Sequence, residues 1–300
     1  MKMSKAVYYC PAVTCFDKGR NLDIEAQKNV YAHVLKGGVE GFIIMGSIGE
    51  FVYMSMEQKR QLAELAIAEL KGKAKVIVGT SGTRWQTTVN FSNEVLEKGA
   101  DAVIIVAPYY FGLTPPEMER FYDLCAENIH GDIFLYNFPG ATGGDISPEM
   151  LVSLLKKHRN IVGLKDTVPG FPHTRQLIDA VRPDFPDFIV LQGYDDNFFH
   201  SALSGGNGCI GGLSNLYPEV AAAAAKAFNA GDFAECARLQ KKLNKLFQLY
   251  MISDPFHPVM KRAMMMRGVD MKGFCCEPMP LATDEQAEKI RTLLAEVDAM

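Results

Sequence analysis

An α/β fold, a (β/α)8 TIM barrel with a C-terminal all-helical extension, is predicted by three features of the 300-residue sequence. Short apolar runs alternate with amphipathic stretches through eight successive pairs. The runs are continuously apolar, as in AVIIVA at 102–107, which marks strands of a parallel sheet covered by helices. Beyond residue 230 the strand-like runs stop and only helical periodicity continues.

The first strand is placed at 7–13, and the helix after it at 23–37, where Gly37-Gly38 ends it. A second strand at 41–45 leads to a helix at 56–71, and a third at 75–79 to a helix at 86–99. The fourth pair is 102–107 and 115–129. In the fifth, 133–136 and 147–158, Ser147-Pro148 sets a cap before a proline at the first helical position. The sixth pair is 161–165 and 172–181, the seventh 188–192 and 195–204, and the eighth 208–211 and 217–229. Helical segments at 232–251, 255–267 and 283–298 complete the chain, giving a barrel over 1–230 and a helical region over 231–300. A single barrel of ~250 residues accommodates this count. A doubly wound open sheet does not, because it needs a phosphate-binding glycine turn after its first strand and none is there.

Apolar residues make up 48% and charged residues 22%, and no apolar run approaches the ~20 residues of a membrane helix, so no membrane partner is expected. The start, MKMSKAVYYCPAV, passes straight into a β-like run without the apolar segment of an export signal. Seven scattered cysteines, odd in number and without a CxxC pair, read as reduced thiols and point to the cytoplasm. A net charge of −4 without a basic cluster leaves no footprint for nucleic acid. The expected partner is a small molecule.

Barrels of this kind build their sites from residues at the C-terminal ends of strands. Five such ends are chemically unusual: Gly46–Glu50 after the second strand, Pro108-Tyr109-Tyr110 after the fourth, 136–144 after the fifth, Lys165-Asp166-Thr167 after the sixth, and 193–196 after the seventh. Lys165 ends the run Ile161-Val162-Gly163-Leu164, so its amine should sit at a sheltered strand end, where burial disfavours the ammonium and favours a nucleophile. A solvated lysine, or an ion pair with Asp166, is the plainer alternative. Tyr136 ends the neighbouring strand, close enough for its hydroxyl to pass a proton to or from that amine; a strand-end tyrosine that merely packs is the alternative. In GSIGE, two glycines should let the backbone turn tightly and aim N–H groups, with the Ser47 hydroxyl, at a carboxylate; a plain turn would look the same.

Two patterns are set aside. Gly206, Gly208 and Gly211 satisfy GxGxxG, but they follow a helix and contain a strand, the reverse of a dinucleotide site. The six histidines show neither HxH nor HxxxH spacing, so no metal is expected and they read as surface or packing residues.

The ordered set GSIGE, PYY, YNFP, GLKDT and GYDD, over about residues 6–220, resembles the dihydrodipicolinate synthase / N-acetylneuraminate lyase family of class I aldolases. That resemblance implies a cofactor-free barrel enzyme, a homotetramer built as a dimer of dimers, acting on pyruvate or another 2-oxo acid. It implies Lys165 as the Schiff-base lysine, Tyr136 as the proton-transferring tyrosine, Ser47 as the hydroxyl orienting it, and Tyr110 as a tyrosine lent to a neighbouring subunit. Ile48 and Gly49 fall in the carboxylate-binding turn; Thr167, Gly193 and Asp195 match positions along the substrate chain, and Ile210 one whose carbonyl faces the lysine, while Tyr194 and Asp196, with Thr167 and Asp195, offer oxygens to a short polyol.

Departures from the family pattern narrow the substrate. Dihydrodipicolinate synthases carry an arginine after the YNxP turn for a second carboxylate, whereas this chain has Gly140-Ala141-Thr142. Ile48 replaces a motif hydroxyl, and Asp196 and Gly212 stand where sialic acid lyases tend to have glutamate and serine. The combination looks most like the subgroup that cleaves 2-keto-3-deoxy sugar acids, with dihydrodipicolinate synthesis, sialic acid cleavage and a silent 2-oxo acid-binding regulator as the alternatives.

Overall fold

The computed structural model describes residues 5–300; Met1–Ser4, the beginning of the stretch read for an export signal, lie outside the described residues. Eight parallel strands, hydrogen-bonded in sequence order, close into a barrel. They are β1 (Val7–Pro11), β2 (Gly41–Ile44), β3 (Lys75–Gly79), β4 (Ala102–Val106), β5 (Ile133–Asn137), β6 (Ile161–Asp166), β7 (Ile189–Gln192) and β8 (Gly208–Ile210). Between and after them come α1 (Ile24–Lys36), α2 (Met56–Leu70), α3 (Trp85–Glu97), α4 (Pro115–Asn128), α5 (Pro139–Thr142), α6 (Pro148–Lys157), α7 (Pro172–Val181), α8 (Phe198–Leu203) and α9 (Pro218–Ala230). The extension contains α10 (Phe233–Phe247), α11 (His257–Met266) and α12 (Asp284–Asp298). The fold expected from the alternation is thus the fold observed.

The described chain separates into two compact units, residues 5–7 with Val76–Ile210, and Tyr8–Lys75 with Gly211–Met300. In the first, every residue of β4 and β5 is buried, as their unbroken apolar runs require. The register between β5 and β6 shifts after Ile133, so that Phe134 lies beside Gly163 and Val162 is the extra residue of a bulge. A side chain at 163 would place its Cβ 2.3 Å from the Phe134 ring, so glycine is needed there. The shifted register sets Tyr136 level with Lys165. Ser147 caps α6 as expected, accepting from the Met150 N–H. The glycine pattern near β8 has a packing cause: Gly208 has φ +118, and a Cβ there would stand 1.9 Å from the Val7 carbonyl.

In the second unit the first strand is shorter than its apolar run. The Val13 N–H donates to Asn215 Oδ1 (3.0 Å) and its carbonyl accepts from Gln27 Nε2 (3.1 Å), so side chains take the bonds a strand would supply. Capping boxes at Ser55/Gln58 and Thr283/Gln286 start α2 and α12. The stretch 195–204, expected as one helix, is a 3-10 turn at Asp195–Asn197 followed by α8. Asp and Asn side chains compete for backbone hydrogen bonds and favour turns over helix interiors.

Among the described residues, no helix is long and apolar enough to cross a membrane. All seven cysteines are buried, and none is joined in a disulfide.

Candidate active site

Two adjacent strands carry the central pair. Tyr136 of β5 and Lys165 of β6 are register partners and so project from the same face. Lys165 is only 6% exposed and Tyr136 5%. Lys165 Nζ donates to Tyr136 Oη at 3.3 Å and lies 4.3 Å from the ring centroid, over the phenol. The ring stacks on Phe138 with centroids 5.9 Å apart, which fixes its tilt. Asp166 does not pair with Lys165: as the next residue of a strand it faces the other way, where Asn137, His173 and Thr174 hold it.

Beyond β6, the Thr167 N–H donates to the Asn137 carbonyl (2.8 Å), leaving a buried side-chain hydroxyl that has no protein partner. Such an orphaned donor costs free energy unless something satisfies it, which makes Thr167 Oγ1 one of the atoms of this unit that would gain from a ligand. Gly193 makes room for it, because a Cβ there would meet Thr167 Oγ1 at 2.0 Å. The loop after β7 then presents Tyr194, Asp195 and Asp196. Burial pushes the Tyr194 phenol up and the Asp196 carboxyl up, and Asp195 is buried in the 3-10 turn. Ile210, fully buried, ends β8. Tyr110 is placed differently: at 88% exposure, with φ +88, it stands in an edge-to-face pair with Phe111, outside any packed surface of its own unit.

In the second unit, Ser47, Ile48 and Gly49 form a 3-10 turn after β2. The left-handed residues that make this turn are not its glycines but Met45 (φ 60) and Glu50 (φ 61), a departure from the expected role of Gly46 and Gly49. Gly49 sits at a close approach, since a Cβ there would stand 3.2 Å from the Ala12 carbonyl and the neighbour would have to give by a few tenths of an ångström. The N–H groups of Gly49 and Glu50 are spent on the Gly46 and Ser47 carbonyls. His257 Nε2 holds the Ser47 carbonyl at 3.0 Å.

Glu50 is locked by a buried ion pair with Lys261, both side chains without exposed surface. The second carboxylate oxygen accepts from the Cys276 N–H (2.6 Å), and Lys261 also donates to the Phe274 carbonyl (2.8 Å). The sequence offers Glu50 only as the last letter of a turn motif, and nothing in the spacing links it to a lysine 211 residues later. Lys261→Met is expected to lower unfolding stability by about 3–5 kcal/mol, because it leaves a buried carboxylate uncompensated. Denaturant midpoints with an unchanged slope will measure this; a loss under about 1 kcal/mol would mean that water reaches Glu50.

Among the described residues no group of three or more His, Cys, Asp or Glu side chains is disposed to hold a metal ion.

A barrel with this strand-borne lysine and tyrosine is the frame of an aldolase, and the comparisons with known proteins give the same class. The chain belongs to the dihydrodipicolinate synthetase family, whose model matches residues 6–297. It is 32% identical over 284 residues to the probable 2-dehydro-3-deoxy-D-pentonate aldolase YjhH of Escherichia coli (strain K12), covering 95% of this chain and 94% of that one. Identity to the putative 2-dehydro-3-deoxy-D-gluconate aldolase YagE of the same organism is 31%, over 96% of this chain and 95% of YagE. The crystal structure of YagE in complex with pyruvate superposes with a TM-score of 0.95 at 30% identity, covering 98% of this chain and 99% of that one. A 4-hydroxy-tetrahydrodipicolinate synthase of Kosmotoga olearia is 30% identical over 92% of both chains. The protein is a lyase of the aldolase kind.

Proposed function

We propose that the protein reversibly cleaves a 2-keto-3-deoxy sugar acid to pyruvate and an aldehyde, through a Schiff base on Lys165 and without a metal. The observation that carries this is the Lys165 amine, sheltered from water and 3.3 Å from the Tyr136 hydroxyl. The amine adds to the C2 carbonyl; the carbinolamine loses water to give a protonated imine. Tyr136 takes the C4 hydroxyl proton as the C3–C4 bond breaks, the electron pair passing into the imine to give an enamine and the free aldehyde. Protonation at C3 and hydrolysis then return pyruvate and the free lysine.

In this reading Ser47, Ile48 and Gly49 form the turn for the substrate carboxylate. Thr167, with its unpartnered hydroxyl, and Gly193, Tyr194, Asp195 and Asp196 serve the hydroxylated chain, and Ile210 lines the lysine. Tyr110, held out on an exposed loop, is offered to a second copy in a dimer of dimers. We place the chemistry in residues 1–230 and the enzyme in the cytoplasm, the latter on seven buried cysteines outside any disulfide.

Dihydrodipicolinate synthesis is the second reading, supported by the synthase relatives. Against it, 140–142 form a helical turn whose Thr142 hydroxyl is spent on the Phe138 and Gly144 carbonyls, with no guanidinium for a second carboxylate. Steady-state assays should give faster turnover with 2-keto-3-deoxygluconate or its pentonate analogue than with pyruvate plus aspartate semialdehyde. The opposite order would exclude the sugar acid reading, and no turnover of any 2-oxo acid would favour a silent binding protein.

A further inference from the structure

One register step beyond Tyr136 and Lys165, Asn137 and Asp166 are partners on the opposite face of the same two strands. Asn137 Nδ2 donates to both Asp166 Oδ1 (2.9 Å) and Asp145 Oδ1 (2.8 Å), and its Oδ1 accepts from the Ile146 N–H (2.9 Å). Asp166, without exposed surface, also accepts from the Thr174 hydroxyl at 2.5 Å. His173 Nδ1 stands 3.1 Å from each Asp166 oxygen. Its Nε2 stands 3.2 Å from Asp145 Oδ2, an ion-pair contact whose angle is not that of a hydrogen bond. A neutral imidazole would turn a lone pair towards one of these carboxylates, whereas an imidazolium presents an N–H to each.

The network does not stop there. Thr174 Oγ1 accepts from Gln192 Nε2 (2.8 Å), and Gln192 Oε1 accepts from the Gly193 and Tyr194 N–H groups (2.6 and 3.0 Å). A continuous chain of hydrogen bonds therefore runs from the segment after β5, across the end of β6, to the loop after β7.

We propose that His173 is a positioning residue for the Lys165–Tyr136 pair: clamped as an imidazolium between Asp145 and Asp166, it holds the rung behind the reacting one. The inference rests on the reading of Lys165 and Tyr136 given above. His173 touches neither of them; it acts through Asn137 and Asp166, whose backbones adjoin theirs. Asp145 and Asp166 are the charged groups that act on it. Burial opposes its charge, but the two carboxylates outweigh burial and push it up to about 10. The contact with His173 in turn holds Asp145 below the usual carboxylate range. The clamp is therefore charged at neutral pH and is lost as pH rises through the raised value of His173.

The test is the rate of borohydride trapping with pyruvate, followed by mass spectrometry from neutral to strongly alkaline pH, in wild type, His173→Gln and Asp145→Asn. His173→Gln should trap roughly ten- to a hundredfold more slowly, the scale of a small misplacement of reacting groups, with the half-saturating pyruvate concentration within about twofold of wild type. Asp145→Asn, at a half-exposed site, should move an alkaline decline in trapping to lower pH by about one unit or more, because His173 loses one carboxylate. An Asp145→Asn decline at the wild-type pH overturns the proposal, as does His173→Gln trapping at the wild-type rate. Wild type that forms no adduct at all overturns the Lys165 reading itself and this inference with it, so the two failures are told apart.

Discussion

Lys165→Ala is expected to abolish turnover, and pyruvate with borohydride is expected to add one covalent adduct to the wild type and none to the variant. The size of the effect follows from covalent catalysis: when the nucleophile forms a bond to the substrate, its removal leaves no weaker version of the same path. Two lysines are buried among the described residues, Lys165 and Lys261. Lys261 is spoken for by Glu50 and the Phe274 carbonyl, so its nitrogen is committed to a buried ion pair and is no rival nucleophile. Lys165 has the Tyr136 hydroxyl and no carboxylate as its side-chain partner, which leaves its nitrogen uncommitted to an ion pair. The remaining lysines supply an internal control, since surface amines should not be trapped selectively. An adduct mapped to any lysine other than Lys165 would refute the assignment.

The barrel was legible because eight apolar runs, each a strand long, need a sheet covered on its outer face, and only their ends were misjudged. Those ends moved where side chains supplied the missing backbone partners, as Asn215 and Gln27 do for Val13, and periodicity carries no trace of that. The adjacency of Tyr136 and Lys165 was legible from consecutive strands, but their common level was not. It depends on the bulge at Val162, which is written in the sequence only as a glycine opposite a phenylalanine. His173 escaped notice because it lies outside any metal-like spacing. A sharper signal was present in the strand alternation, which turns Asp166 away from Lys165 and obliges a buried carboxylate to find a cation elsewhere. Glu50 had no local signal at all, its partner being supplied by a helix from the far end of the chain.

Tyr136→Phe should lower kcat by ~10²–10⁴, the usual scale for losing a positioned general acid and base. The substitution removes one oxygen and keeps the ring, so the stack on Phe138 and the approach of Lys165 over the aromatic face can persist. What disappears is the hydroxyl that accepts from the Lys165 amine, and with it the group that would carry a proton to and from the carbinolamine and the C4 oxygen. Water is a poor substitute where both side chains are almost fully buried. Because imine formation with pyruvate needs proton transfer as well, borohydride trapping should slow in the variant yet still reach the same lysine. Pre-steady-state trapping and steady-state cleavage, measured together, separate the two steps: loss in both places the tyrosine in proton transfer throughout, and loss in cleavage alone confines it to the C4 hydroxyl. A change under about threefold in both would make Tyr136 a packing residue and remove the partner on which the proposed chemistry of Lys165 depends.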